Sequence, residues 1–246
     1  MGELIAILSG KGGTGKTTLC AGISTALAEA GNRVLCIDCD IGLRNLDIPL
    51  GLSDRNALSF TDVSEGGYPL ERACVHPVYP SLSFLTAPMN RPPESINGSA
   101  FSRMLQQARE SFDYVLLDAP AGVDAGFRLA AGAADRILLV TGADPASIRD
   151  ASRAADLLEL MDKQSIRLIV NRVSEKMVGA MKLTIDDIMD EAGLPLLGVV
   201  PDDPNVVLAA SFAKPLLKYS RRGEAASACR RIAQRIQGMP VPMKFR

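Results

Sequence analysis

Ten residues near the start of the chain, SGKGGTGKTT at positions 9–18, combine glycine, lysine and threonine in a spacing able to hold a polyphosphate. They satisfy G-x-x-x-x-G-K-T from Gly10 to Thr17, directly after an apolar run and before a stretch of helix formers; the pattern requires that setting. Gly10, Gly12, Gly13 and Gly15 allow consecutive backbone N–H groups to face a phosphate, and the following helix adds its positive end. Lys16 is expected to neutralise the β- and γ-phosphates and the Thr17 hydroxyl to coordinate magnesium, with Thr14 and Thr18 completing the nucleotide-binding set. The chemistry implied is binding of ATP with Mg2+ and its hydrolysis to ADP and phosphate.

Such chemistry also needs carboxylates. The segment IDCDIGLRNLD places Asp38 and Asp40 two residues apart at the end of an apolar run, and Asp118 ends a second run, YVLLD. The carboxyl ends of strands in open α/β sheets are where ligands bind. Asp38 and Asp118 are therefore expected to serve magnesium, Asp118 through water, while Asp38 and Asp40 can both face an attacking water. Which of the two positions that water stays open. The APAG that follows Asp118 would form a loop able to sense the γ-phosphate.

Short runs rich in Val, Ile and Leu predict strands over 4–8, 34–38, 82–86, 114–118, 137–141, 166–170 and 197–200. Helix formers fill 16–30, 99–111, 145–161, 184–192 and 223–236, with Gly31 and Gly193 where C-terminal caps belong. The alternation predicts an α/β fold, a doubly wound and mostly parallel sheet with helices on both faces. One ATPase domain over 1–237 and a short tail over 238–246 are expected. The stretch 53–93 is the least regular, a loop or short helix.

With 27 basic and 28 acidic residues the chain has no global attraction to nucleic acid, and a nucleic-acid partner is not expected. The charge is uneven, since positions 214–246 hold nine basic residues and one acidic, Glu224. Five cysteines and no secretory start argue against a disulfide framework, and Cys36 and Cys39 read as packed strand residues. His76, beside Pro77, reads as a surface residue without a partner. No run is apolar enough to span a bilayer, so a cytoplasmic protein is expected, with an optional peripheral place on the inner face of the cell membrane.

K-G-G-T-G-K-T-T, with its second lysine Lys11, resembles the deviant Walker A motif of the ParA/MinD group of ATPases. The resemblance implies that Lys11 reaches across an ATP-dependent homodimer to the partner's phosphates, the role a cation supplied in trans would fit. IDCDIGLRNLDIPLGL resembles the MinD branch, and the likeness continues through DYVLLDAPAGVDAGF, LIVNRV and LLGVVPDDPNVVLAASFAKPLL. It assigns Asn171, Arg172, Pro201 and Asp202 to the adenine. It also implies a role in placing the cell-division site, a MinC-like inhibitor and a MinE-like activator. Three departures stand out: Thr14 where that branch has valine, an altered segment at Asn90-Arg91-Pro92, and a final GMPVPMKFR in place of an amphipathic membrane-targeting helix. Pro240 and Pro242 disrupt a helix there, so only weak, salt-sensitive binding to an anionic membrane surface is expected. Competing readings are a DNA-binding ParA-type partition ATPase, kept open by the basic 214–246 stretch, and a flagellar-number regulator. An iron-sulfur carrier is disfavoured because the APAG directly after Asp118 contains no cysteine.

Overall fold

The structure, a computed structural model, describes residues 1–89 and 91–243. Asn90 of the altered segment, and Lys244, Phe245 and Arg246 of the tail, lie outside the described residues. Eight strands form one sheet: β1 (Glu3–Leu8), β2 (Val34–Asp38), β3 (Cys74–Val75), β4 (Leu82–Leu85), β5 (Tyr114–Asp118), β6 (Arg136–Thr141), β7 (Ile166–Val173) and β8 (Leu196–Pro201). Their order is β3-β4-β2-β5-β1-β6-β7-β8, all parallel except the two-residue edge strand β3. Helices α1 (Lys16–Glu29), α2 (Asp47–Leu50), α3 (Phe60–Ser64), α4 (Gly98–Ser111), α5 (Ala125–Ala133) and α6 (Pro145–Leu160) fill the crossovers of the first two-thirds of the chain. Helices α7 (Glu175–Met181), α8 (Ile185–Ala192), α9 (Asn205–Ser211), α10 (Leu216–Tyr219) and α11 (Glu224–Ile236) follow.

Why the strands read as unbroken apolar runs is visible in how they divide between two cores. Ile5 and Ile7 of β1, Cys36 of β2, Leu116 of β5 and Leu138 of β6 face a core shared with α1 and α11. Their neighbours Leu4, Ala6, Leu35, Ile37, Val115, Leu117 and Leu139 face the opposite core, shared with α4, α5 and α6. The pleat alternates side chains, so a strand covered on both faces must be apolar throughout. Gly22 brings α1 against α11, where an added Cβ would come 2.7 Å from the Cys229 sulfur.

All seven predicted strands and all five predicted helices are present, with ends moved by a few residues. The stretch 53–93 is more ordered than expected, for it contains α3, with a Ser59–Asp62 capping box, and β3 as well as β4. Helices α2, α5, α7, α9 and α10 are too short or too mixed in composition for periodicity to show them. His76 corrects an expectation. Far from being a surface residue it is 1% exposed, with its Nε2 2.8 Å from the Leu50 carbonyl and its Nδ1 accepting from the Val78 and Tyr79 N–H groups. Cys20 and Cys36 are free thiols with sulfurs 3.7 Å apart, and Cys39 is buried, in line with packing roles.

Candidate nucleotide site

The loop between β1 and α1 is shaped by its glycines. Gly13 and Gly15 adopt positive φ of 80° and 89°, the left-handed region open to glycine. Gly10 is held so close to α6 that an added Cβ would stand 2.1 Å from the Asp150 carbonyl oxygen. Within the loop the Ser9 hydroxyl donates to the Lys11 carbonyl at 2.7 Å. Helix α1 begins at Gly15 with no side chain capping it, so its first-turn N–H groups are left for an anion. Lys16, at the head of that helix, is only 7% exposed and, among the described residues, forms no ion pair.

Strand register brings the two carboxylates together. In the β2–β5 pairing Asp38 stands opposite Asp118, and β5 runs beside β1, with Ile7 opposite Asp118. The Asp38 carboxylate is buried and accepts three N–H bonds, from Asp40 at 2.9 Å, Asn45 at 3.0 Å and Leu46 at 3.1 Å. It thereby folds residues 40–46 back over the sheet edge. Asp118 has one carboxylate oxygen buried without a partner among the described residues. Burial and the neighbouring Asp38 push its carboxyl up to about 8, against the pull of Thr17 and Lys16. Asp40 is half-buried, and desolvation raises its carboxyl above the usual range while Lys16 lowers it.

Beside the loop lies a cavity of about 580 Å3, lined by Gly13, Gly15, Lys16, Thr17 and Thr18 on one side and by Asn171, Arg172, Pro201 and Asp202 on the other. The ends of β7 and β8 thus meet the loop, as the adenine assignment requires. Asn171 does more than line the wall. Its amide nitrogen donates to the Thr14 carbonyl at 2.7 Å, and an added Cβ on Gly15 would come within 2.3 Å of that nitrogen. Arg172, at a positive φ of 57° where β7 and β8 fall out of register, donates to the Gly13 carbonyl at 3.2 Å. On the other flank a hollow of about 190 Å3 is lined by Gly12, Thr14 and Lys11, whose ammonium lies 3.7 Å from Asp144.

Sequence reasoning missed several residues here. Ile48 and Pro49 of α2 and Val206 and Ala210 of α9 line the cavity, and Asp203 ties the β8–α9 turn to the start of α11 by accepting from Asn205 and Ala225. Apolar residues on helices of only four and seven residues give no periodic sequence signal. Asp144 did give one, the D-P start of a helix, and it caps α6 at Ser147.

An uncapped helix end, a buried lysine and two register-matched buried aspartates define a phosphate-binding loop of the P-loop NTPase class. The donor set fits a hard divalent cation: a threonine hydroxyl beside buried carboxylates, one with an unpartnered oxygen whose ionisation needs a counter-charge. A family profile, the CobQ/CobB/MinD/ParA nucleotide binding domain, matches residues 5–216. The "Septum site-determining protein MinD" of Synechocystis is 37% identical over 244 residues, 98% of this chain and 92% of that one. The MinD of the "MinC:MinD cell division protein complex" from Aquifex aeolicus superposes with a TM-score of 0.91 at 38% identity, covering 99% of this chain and 98% of that one. A septum site-determining MinD from Pyrococcus horikoshii complexed with Mg-ADP superposes at 0.80 with 27% identity, covering 96% of each chain. The chain belongs to the MinD branch of the CobQ/CobB/MinD/ParA nucleotide-binding family; the MinD and ParA members are ATPases, and its cofactors are ATP/ADP and Mg2+.

Proposed function

We propose that this protein is an ATP-driven switch that helps place the cell-division site, binding ATP as a homodimer and hydrolysing it to ADP and phosphate. The observation that supports this best is the meeting of the uncapped α1 terminus, buried Lys16 and the Asp38–Asp118 pair at one sheet edge. In this reading the N–H groups of Gly12, Gly13 and Gly15 and the first turn through Thr18 hold the β-phosphate, and Lys16 spans the β- and γ-phosphates. Thr17, Asp38 and Asp118 hold the cation; magnesium, when bound, neutralises charge on the β- and γ-phosphate oxygens. Asp40 orients the attacking water. Asn171, Arg172, Pro201 and Asp202 enclose the adenine, and the Asn171 amide links that pocket to the loop through Thr14.

Lys11 is assigned to the phosphates of the second copy. In the single chain it rests 3.7 Å from Asp144, both side chains more than 40% exposed, a pairing weak enough to exchange. The Aquifex MinC:MinD complex supports a MinC-like partner for the dimer, and a MinE-like activator follows from the same kinship. Among the described residues no helix is long and apolar enough to cross a membrane. Membrane contact is therefore assigned to the exposed arginines Arg221 and Arg222 and to the segment after α11.

Sedimentation with Mg-ATP tests the switch. The wild type is expected to sediment as a dimer with ATP and a monomer with ADP, and Lys11→Ala as a monomer with both while retaining nucleotide. A Lys11→Ala dimer of normal affinity would remove the cross-contact from the proposal.

A further inference from the structure

We infer that His76, the sole histidine of the sequence, is a positioning residue for the nucleotide site: through the Leu50 carbonyl it holds the one-turn helix α2, and protonation of its ring releases that hold. The inference rests on the nucleotide reading above. It starts from the hydrogen-bond pattern around a fully buried ring. Val78 and Tyr79 both donate backbone N–H groups to Nδ1, at 3.0 and 3.2 Å. Nδ1 must therefore be the acceptor, so Nε2 bears the proton and donates to the Leu50 carbonyl at 2.8 Å.

Leu50 closes α2, and α2 touches the site at both of its other parts. The backbone N–H groups just before it, on Asn45 and Leu46, are those that hold the Asp38 carboxylate. Its middle residues, Ile48 and Pro49, line the cavity. A four-residue helix has no stability of its own; it is held by Leu46 and Leu50, which are buried in the core, and by two polar contacts at its ends, Asp38 at one and His76 at the other. The ring itself is anchored in the β3–β4 hairpin, where the His76 N–H donates to the Leu82 carbonyl at 2.8 Å.

A proton on Nδ1 would meet two N–H donors aimed at the same atom, and the turn and ring could not both stay in place. Burial, and secondarily Arg55, already hold the ring's titration below the ordinary imidazole value of 6.5, against the raising effect of the Leu50 carbonyl. The groups facing the ring are Arg55, from the segment after α2, and Tyr79 of the hairpin, whose ring centroid is 5.2 Å away. Behind Tyr79 stand Glu29 of α1, Arg221 and Arg230. On α2, Asp47 is turned away to Arg44, 3.0 Å from its Nε. Among the described residues no carboxylate is thus positioned to favour the protonated ring. The held state is the neutral one, and acid opposes it. Because binding couplings are reciprocal, Mg-ADP, seated by that reading in the cavity that Ile48 and Pro49 line, must in turn favour the neutral ring.

Being the only imidazole, His76 can be followed directly by NMR without interference. In the full-length protein we expect its signals to show the Nε2–H tautomer, a titration below 6.5, and a further downward move with saturating Mg-ADP. Two isosteric variants separate its contacts: His76→Gln keeps a donor near the Nε2 position, and His76→Asn keeps an acceptor near Nδ1. Mg-ADP affinity at about pH 7.5 should be near wild type in His76→Gln and about fivefold weaker in His76→Asn, the worth of one hydrogen bond. Lowering the pH to about 5.5 should weaken Mg-ADP binding more in the wild type than in His76→Gln. An imidazole titration that Mg-ADP does not move overturns the inference, and this measurement decides alone should a variant fail to fold. Equal affinities of His76→Asn and wild type also overturn it. Wild-type protein that binds no Mg-ADP at any pH refutes the nucleotide reading itself, and His76's role with it.

Discussion

Two regions of this molecule are rich in charge, and they treat it in opposite ways. At the carboxyl edge of the sheet Lys16, Asp38 and Asp118 are all less than a tenth exposed, and Asp118 keeps a carboxylate oxygen without a partner among the described residues. Along α11 the arginines are at the surface or already engaged. Arg230 pairs with Glu29 at 2.6 Å and donates to the Arg221 carbonyl, while Arg235 donates to the carbonyls of Leu197, Val241 and Pro242. Burying charge without full pairing costs several kcal/mol, and folding tolerates it where a ligand of opposite charge offsets it. A paired or solvated arginine needs no ligand. The basic end of the chain is therefore largely scaffold, despite its run of basic residues, and the sheet edge with its buried, incompletely paired charges is the site.

Removing the buried lysine should break the contrast most severely. Lys16→Ala is expected to lower ATP turnover by about a thousandfold, read as phosphate release under saturating Mg-ATP. It should also leave the fold intact, since among the described residues Lys16 forms no ion pair that would be lost. A variant that turns over normally would mean that Lys16 is buried for packing alone.

Asp40 sharpens the comparison within the site, because it is half-buried whereas Asp38 is fully engaged by three backbone N–H groups. Asp40→Ala should slow hydrolysis by about a hundredfold, the lower range for loss of one positioned polar group, and so accumulate the ATP-bound dimer in sedimentation. Normal hydrolysis with no accumulation would return the water-positioning role to Asp38.

The smallest effect belongs to the arginines. Binding of the ATP-bound form to anionic liposomes should weaken about fivefold for each of Arg221→Ala and Arg222→Ala, as about 1 kcal/mol per basic group near the surface implies. Arg230→Ala, which removes a paired arginine, should change it least. Co-sedimentation at two salt concentrations decides the matter: strong binding that persists at high salt would show apolar insertion instead of charge attraction.

The contrast between the regions was only half visible in the sequence. Its nine basic residues against one acidic were plain in positions 214–246, but which of them are occupied depends on Glu29 and Leu197, from other parts of the chain. His76 shows the same limit, since a lone histidine next to proline has the composition of a surface turn. Nothing nearby in sequence announces the Leu50 carbonyl, 26 residues earlier.

What the sequence determined by itself is local. The glycine spacing sets the loop, because two of those positions need positive φ; the apolar runs set the strands, because both faces of a parallel sheet are covered. Aspartates at strand ends follow from these. The tertiary structure alone decided which ends become neighbours. Strand order inserts β5 between β2 and β1 and so sets Asp118 opposite Asp38, and the crossing of β7 delivers Asn171 to Thr14 across 157 residues of chain. A carboxylate's ionisation or an amide's partner is fixed by what lies within a few ångströms, and distance along the chain holds no record of that until the sheet has closed.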